Sequence, residues 1–305
     1  MAKIIFFGTP DFALPILRKI NNSKHEILTV YTQSPKKSLR GQKINKSVIH
    51  EFAEKNKLNV KTPERLEVEE NFLESNSFDL GIVVAYGKLI PKKILNFSKY
   101  GFINIHASLL PKYRGAAPIQ RSIINRDKET GISFMKIIEK LDAGPICKKY
   151  KIEIKKNENY NSLLDRLSNL AEETVIEIID KIIENKIKFV DQNHHEATYA
   201  NKIEKIDGKI NWSESAELIQ AKINALNPNP GGWFIFNNER YKILDADISS
   251  KYGQPGEVLD ENFIVGCGNN SLKILKIQRQ GKKPQNSKEF LLGSKIKPGT
   301  KLLNE

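Results

Sequence analysis

Residues 78–86 read FDLGIVVAY, and residues 101–107 read GFINIHA. The first is a nearly unbroken apolar, β-branched run, the pattern of a strand covered on both faces of a parallel sheet. The second repeats it, but with two polar side chains, Asn104 and His106, placed two apart. Outward from there, KIIFF (3–7) reads as a strand, GTPD (8–11) as a turn and FALPILRKI (12–20) as a helix. HEILTVY (25–31) and SVIHEFAEKN (47–56) repeat the strand–helix order. This alternation predicts an α/β domain, Rossmann-like and doubly wound, with a mainly parallel sheet. Ligands of such sheets bind beyond the carboxyl ends of the strands, where Asn104 and His106 are expected.

A helical pattern over 159–186, with Asn161 or Ser162 as its cap, closes this half. The stretch 188–212 is polar, punctuated by glycine and weakly periodic, and reads as a linker around 187–208. A short helix (215–226) and the breaker PNPGG (228–232) follow. Then come closely spaced short strands: WFIF (233–236), RYKILDA (240–246), GEVL (256–259), FIVGCG (263–268) and SLKILKI (271–277). They predict a smaller C-terminal β-barrel, OB-like in type. The expected division is a catalytic domain over 1–188, a linker over 189–207 and the barrel over 208–305.

The 305 residues leave room for two cores. No run approaches the ~20 apolar residues of a membrane span, and the N-terminal apolar stretch is too short for a signal peptide. Two cysteines form no disulfide framework and no zinc spacing. A cytoplasmic chain with no membrane partner and no metal is expected. The net charge of +13 fits a polyanionic partner, but it equally fits a chain rich in Lys, Asn and Ile throughout. The location of the charge decides between them.

Several readings fall away. GTPDFA lacks the G-x-G-x-x-G of a dinucleotide fold, and KYRGAAP, with Arg114 and Gly115, lacks the Gly-Lys-Ser/Thr of a P-loop. His194–His195 sits in the polar linker with no third ligand nearby and reads as an exposed loop. Trp212 and Trp233 read as packing residues rather than base-stacking platforms, and Cys147 has no activating neighbours.

On a strand, Asn104 and His106 project from one face. An amide N–H donated to a developing oxyanion is worth ~10²–10³ in rate, and an imidazole moves protons near neutral pH. EKLDAGPI (139–146) supplies Asp142 before a small-residue turn. Together they suit acyl transfer without a nucleophilic Ser or Cys. An Asn and a His near a strand end, and an Asp before Ala-Gly-Pro, also occur as structural residues, and spacing alone leaves both readings open.

INIHASLLPKYRGAAPIQ (103–120) followed by TGISFMKIIEKLDAGPI (130–146) resembles the signature of the 10-formyltetrahydrofolate-dependent formyltransferases. The likeness continues through FFGTPDFALPIL (6–17), IVVAYGKLIP (82–91), NKIEKIDGKINW (201–212) and KIQRQGKKPQNSKEFLLG (276–293), covering nearly the whole chain. The resemblance implies transfer of a formyl group from 10-formyltetrahydrofolate to an amine. It implies that Asn104 and His106 stabilise the oxyanion, and that Asp142 holds His106 protonated and oriented while assisting proton removal. It also implies folate contacts at Ser108, Leu109, Leu110 and Pro111, and a pterin pocket walled by the stretch around Tyr86 and Gly87.

Within the family the chain most resembles members acting on initiator methionyl-tRNA, and a monomer is expected. TQSPKKSLRGQKINK (32–46) carries Lys36, Lys37, Arg40, Lys43 and Lys46 with no acidic residue, and Pro35 and Gly41 make it a loop. The resemblance implies that this loop reaches the acceptor end of the tRNA, Arg40 being its key residue. From Ser271 onward, Lys273, Lys276, Arg279, Lys282, Lys283, Lys288, Lys295, Lys297 and Lys301 are opposed only by Glu289 and Glu305. A basic barrel face of this kind can track a phosphate backbone. Amino-sugar nucleotides are the rival acceptors. Glycinamide ribonucleotide is disfavoured, because its enzymes resemble only the first domain. A non-catalytic RNA-binding protein on the same scaffold is the alternative from another class.

Overall fold

The computed structural model describes residues 1–37 and 44–302, with nothing said of the side chains of Lys36, Lys37 and Ile44. Arg40 and Lys43 therefore lie outside the described residues. In chain order the elements are β1 (Lys3–Gly8), α1 (Leu14–Asn21), β2 (Glu26–Tyr31), β3 (Lys36–Lys37), β4 (Ile44–Asn45), α2 (Val48–Lys55) and β5 (Val60–Lys61). Next come α3 (Glu70–Ser75), β6 (Leu80–Val84), α4 (Lys92–Leu95), β7 (Phe102–His106), α5 (Pro118–Ile124), β8 (Glu129–Lys136), β9 (Ile146–Glu153) and α6 (Tyr160–Ile183). The remainder is α7 (Ala216–Leu226), β10 (Gly232–Phe236), β11 (Glu239–Ser249), β12 (Ile264–Gly266), β13 (Ser271–Arg279), β14 (Gln285–Asn286) and α8 (Ser287–Leu292).

The chain forms two compact units. The first comprises residues 1–115, 130–152 and 164–199. Its sheet has the order β5-β2-β1-β6-β7-β8-β9. The pairs from β5 to β7 are parallel, and β8 runs antiparallel to β7. Every residue of β6 is buried, as its unbroken apolar run requires of a strand covered on both faces. Phe7 stacks on Tyr31 at 4.9 Å and meets Tyr86 and Phe102 at 5.4 and 5.6 Å, so one aromatic cluster ties β1, β2, β7 and the exit of β6 together. Within the lysine-rich stretch the two-residue strands β3 and β4 pair as Lys36↔Asn45 and Lys37↔Ile44.

The second unit comprises residues 116–129, 153–163 and 200–305. Its antiparallel sheet runs β10-β11-β13-β12, with β14 on β13. A register shift between Ile243 and Ala246 lets the long strand β11 bend, as bulges do. The core it curls around holds Trp212, Phe234, Tyr241, Phe263 and Phe290. Trp212 is fully buried, and the Trp233 indole N–H donates to the Lys205 carbonyl at 2.9 Å, so both are packing residues. GEVL, read as a strand, contributes only isolated bridges, Glu257↔Lys301 and Val258↔Val265.

The mainly parallel Rossmann-like sheet and the smaller curled antiparallel sheet are the expected architecture. Strand β9 escaped the sequence reading because ICKKYKIE sits at the sheet edge and leaves its lysines exposed, the usual protection of an open edge. Among the described residues no helix is long and apolar enough to cross a membrane.

The cap of α6 also differs from the reading. Asn159 Oδ1 accepts the Ser162 N–H at 3.0 Å, so the cap lies before Tyr160, and Asn161 and Ser162 are already in the first turn. Asn159→Ala is expected to cost about 1 kcal/mol, a fall of roughly 2 °C in Tm, whereas Asn161→Ala should stay within about 0.5 kcal/mol. Thermal unfolding followed by circular dichroism separates the two.

Candidate active site

Strand β7 buries Phe102, Ile103, Ile105 and His106 and leaves only Asn104 half-buried. Alternation puts Asn104 and His106 on one face. The chain then breaks into the loop 107–117, which turns back over that face. The Tyr113 carbonyl lies 2.8 Å from His106 Nε2. A carbonyl can only accept, so Nε2 carries hydrogen and the imidazole presents Nδ1 to the site.

Asp142 comes from the connection between β8 and β9. Its backbone is left-handed, with φ +45°. Two residues on, a Cβ at Gly144 would stand 1.9 Å from the Lys136 carbonyl, so only glycine lets the turn close on the end of β8. The Asp142 carboxylate meets three groups. Oδ2 accepts the Gly115 N–H at 2.8 Å and lies 3.7 Å from His106 Nδ1. Oδ1 takes a long contact of 3.4 Å from Asn104 Nδ2. The His106 and Asp142 side chains are 7% and 14% exposed, a nearly enclosed pair with one open side. Sequence spacing thus brings together the three residues it singled out. The contacts from Asn104 and His106 exceed ordinary hydrogen-bond lengths, which leaves both side chains able to turn to an incoming atom.

The stretch 108–111 is pinned to β8. Ser133 Oγ donates to the Ser108 carbonyl at 2.7 Å and accepts the Leu110 N–H at 3.1 Å. Ser108 and Leu110 are fully buried, and Leu109 and Pro111 are half-buried. Lys149 Nζ donates to the Leu110 carbonyl at 2.8 Å. Tyr86 is 1% exposed, its ring lies in the aromatic cluster, and burial pushes its phenol up to about 12. Its carbonyl accepts from Thr9 Oγ1 and Gln33 Nε2, both at 3.1 Å. Gly87 has φ +76°, with the Gln33 amide 2.4 Å from where a Cβ would be. The Tyr86 ring is therefore a core residue rather than an open pocket wall.

Lys36 and Lys37 are placed by backbone only, in β3. Lys282 and Lys283 are exposed beyond β13 in the second unit. Register sets Lys273 opposite Asp247 and Lys276 opposite Asp245, and Arg279 pairs with Glu239. Cross-strand carboxylates thus balance the β13 cations, and the surplus positive charge begins after Arg279.

The sequence reading missed what stands behind the site. Arg114, set aside once the P-loop failed, is 4% exposed, and Gln192, assigned to a linker, is 7% exposed. Arg114 Nε and a terminal nitrogen donate to Gln192 Oε1 at 3.1 and 2.7 Å, and that nitrogen also meets His194 Nδ1 at 2.9 Å. The available signal was RGAAP directly after the His106 loop, but neither residue type advertises a partner 78 positions away. Burial pushes the Cys147 thiol up to about 11 and the Cys267 thiol up to about 12, so neither is a thiolate near neutral pH.

Residues 2–179 match the formyl transferase domain, and residues 202–295 match the formyl transferase C-terminal domain. The chain is 54% identical over 306 aligned residues to a protein of Pelagibacter ubique named methionyl-tRNA formyltransferase, covering 99% of each. It is 40% identical to one of the same name from Rickettsia bellii, covering 96% of this chain and 97% of the relative. Among solved structures, an N-formyltransferase from Helicobacter canadensis, in complex with folinic acid and dTDP-3-aminofucose, shares the fold with a TM-score of 0.68. That match has 21% identity and covers 92% of this chain and 100% of that one. HypX from Aquifex aeolicus, in complex with tetrahydrofolic acid, gives a TM-score of 0.64 at 16% identity over 97% of this chain and 48% of that one. With both domains matched and full-length relatives this similar, the chain belongs to the formyl transferase family.

Proposed function

We propose that this enzyme transfers the formyl group of 10-formyltetrahydrofolate to the amino group of methionyl-initiator tRNA, in the cytoplasm and as a monomer. The observation that carries the chemistry is the convergence of an amide, an imidazole and a backbone N–H on the Asp142 carboxylate. The acceptor rests on full-length likeness to relatives named methionyl-tRNA formyltransferase. Residues 1–188 serve as the catalytic domain, 189–207 as the connection and 208–305 as the tRNA-binding domain.

In this reading the amine attacks the formyl carbon and the carbonyl electrons move to oxygen. Asn104 Nδ2 and protonated His106 Nδ1 donate to that oxyanion. Nδ1 is the nitrogen available, since the Tyr113 carbonyl occupies Nε2. Asp142 balances the imidazolium and takes the proton from the amine nitrogen. The oxyanion then re-forms the carbonyl as the bond from carbon to the folate nitrogen breaks, and that nitrogen receives the proton that Asp142 took from the amine. Ser108, Leu109, Leu110, Pro111 and the backbone of Tyr86 and Gly87 line the folate side. Lys36, Lys37, Arg40, Lys43, Lys282 and Lys283 are assigned to tRNA binding.

Asn104→Ala and His106→Ala should each lower kcat/KM by about 10²–10³, with Asp142→Asn on the same scale. A non-catalytic RNA-binding role predicts no change in function for any of them. Steady-state formylation of methionyl-initiator tRNA is the assay. Raising salt from about 50 to 200 mM should cost at least ~10-fold in kcat/KM by counterion release, and Arg40→Ala should lower activity further. Activity on an amino-sugar nucleotide, insensitive both to salt and to Arg40→Ala, would replace the acceptor. Because the Cys147 thiol is held at about 11, Cys147→Ala should keep activity within about twofold, and thiol alkylation at neutral pH should not inactivate the enzyme.

A further inference from the structure

Two residues of the loop meet Asp142 and His106, and a single residue separates them. Tyr113 holds His106 Nε2 through its carbonyl, Gly115 donates its N–H to Asp142 Oδ2, and Arg114 between them points its guanidinium at Gln192. Gln192 answers with both amide hydrogens. Nε2 donates to the Asp142 carbonyl at 2.9 Å and to the Gly144 carbonyl at 2.7 Å. The segment after Gln192 closes the other side. Thr198 Oγ1 accepts the Tyr113 N–H at 2.9 Å, and the Thr198 carbonyl accepts the Arg114 N–H at 2.8 Å.

Asp142 occupies a left-handed backbone conformation, with φ +45°. Asp visits that region far less readily than Gly, so something must hold it there. The Gln192 amide does so from behind, one hydrogen bond on Asp142 itself and one two residues later. The Oε1 end cannot swap with the Nε2 end, because Arg114 donates to it twice and a guanidinium has no acceptor. The amide orientation, and hence the bond to the Asp142 carbonyl, is fixed by Arg114.

We propose that Gln192 is a positioning residue for formyl transfer. Locked by Arg114, it holds the Asp142 turn so that the carboxylate stays on the Gly115 N–H and beside His106 Nδ1. This rests on the formyl-transfer reading above, and it adds a residue outside the reacting set. A displacement of about 1 Å at a reacting group costs on the order of 10²-fold, so the loss should appear in kcat rather than in KM for either substrate.

The test compares the wild type, Gln192→Ala, Gln192→Glu, Asp142→Asn and the Gln192→Ala/Asp142→Asn double variant. Gln192→Glu keeps an acceptor for Arg114, and so keeps the buried cation satisfied, but it loses both donors to the turn. Each Gln192 variant is expected to lower kcat by about 10–100-fold with KM nearly unchanged. In the Asp142→Asn background the Gln192→Ala change should cost less than about twofold, because the group it positions is already disabled. Amide exchange at Gly115, which needs no substrate, should accelerate at least ~10-fold in both Gln192 variants. Unchanged kcat with unchanged Gly115 exchange overturns the proposal. So does a full multiplicative loss in the double variant, which would mark Gln192 as a general stabiliser. If the wild type forms no formylmethionyl-tRNA, the acceptor reading fails, and Gly115 exchange by itself decides the role of Gln192.

Discussion

A carboxylate that is mostly covered must find hydrogen-bond donors, because a buried polar group left without partners is costly. Asp142 meets this demand with one firm bond from a backbone N–H, that of Gly115, and two longer contacts from Asn104 and His106. The firm bond anchors the group, and the long ones leave Asn104 and His106 less tightly held. Much of the first unit can be read as the consequence. Strand β7 must bring an amide and an imidazole to one face, and the loop after it must return close enough for residues 113–115 to reach both partners. The connection from β8 to β9 must fold tightly enough that Gly144 touches the Lys136 carbonyl. Ser133, bonded to both Ser108 and Leu110, fixes the start of that returning loop to the neighbouring strand.

The parts that could be read from sequence share one property: their cause is local. An unbroken apolar run announces a doubly covered strand, so β6 and β7 were plain, and a period of two placed Asn104 with His106. Asp142 could be offered from its small-residue turn, but only the long signature motif raised it above an ordinary turn residue, since nothing local to LDAG separates the two. The supporting residues were opaque for the opposite reason. Gln192 matters through a pairing across 50 residues to Asp142 and across 78 to Arg114, and its neighbours DQNHHE have the composition of a solvated linker. Tyr113 and Gly115 act through backbone atoms, which every residue but proline supplies alike. The missed cap on α6 is a smaller case: NENYNS offers three asparagines and a serine, and only the actual first turn selects Asn159.

In the proposed reaction the site handles atoms that every formyl acceptor shares: a nucleophilic nitrogen, a formyl carbon, its oxygen and the nitrogen that leaves. In that reading Asn104, His106, Asp142 and Gln192 serve only those shared atoms. The same fold accordingly appears in an N-formyltransferase crystallised with a dTDP-amino sugar. Acceptor choice must therefore reside in surfaces that meet the rest of the substrate, and the distribution of charge is informative there. On β13 the cations face carboxylates of β11, at Asp247, Asp245 and Glu239, and so contribute little net field. Past Arg279 the lysines at 282, 283, 288, 295, 297 and 301 are all exposed, and among the described residues of that stretch Glu289 is the one carboxylate. A bias toward lysine codons would load both stretches equally and has no reason to balance one and leave the other bare. The unbalanced stretch is the one whose field extends into solvent, where a phosphate backbone would meet it.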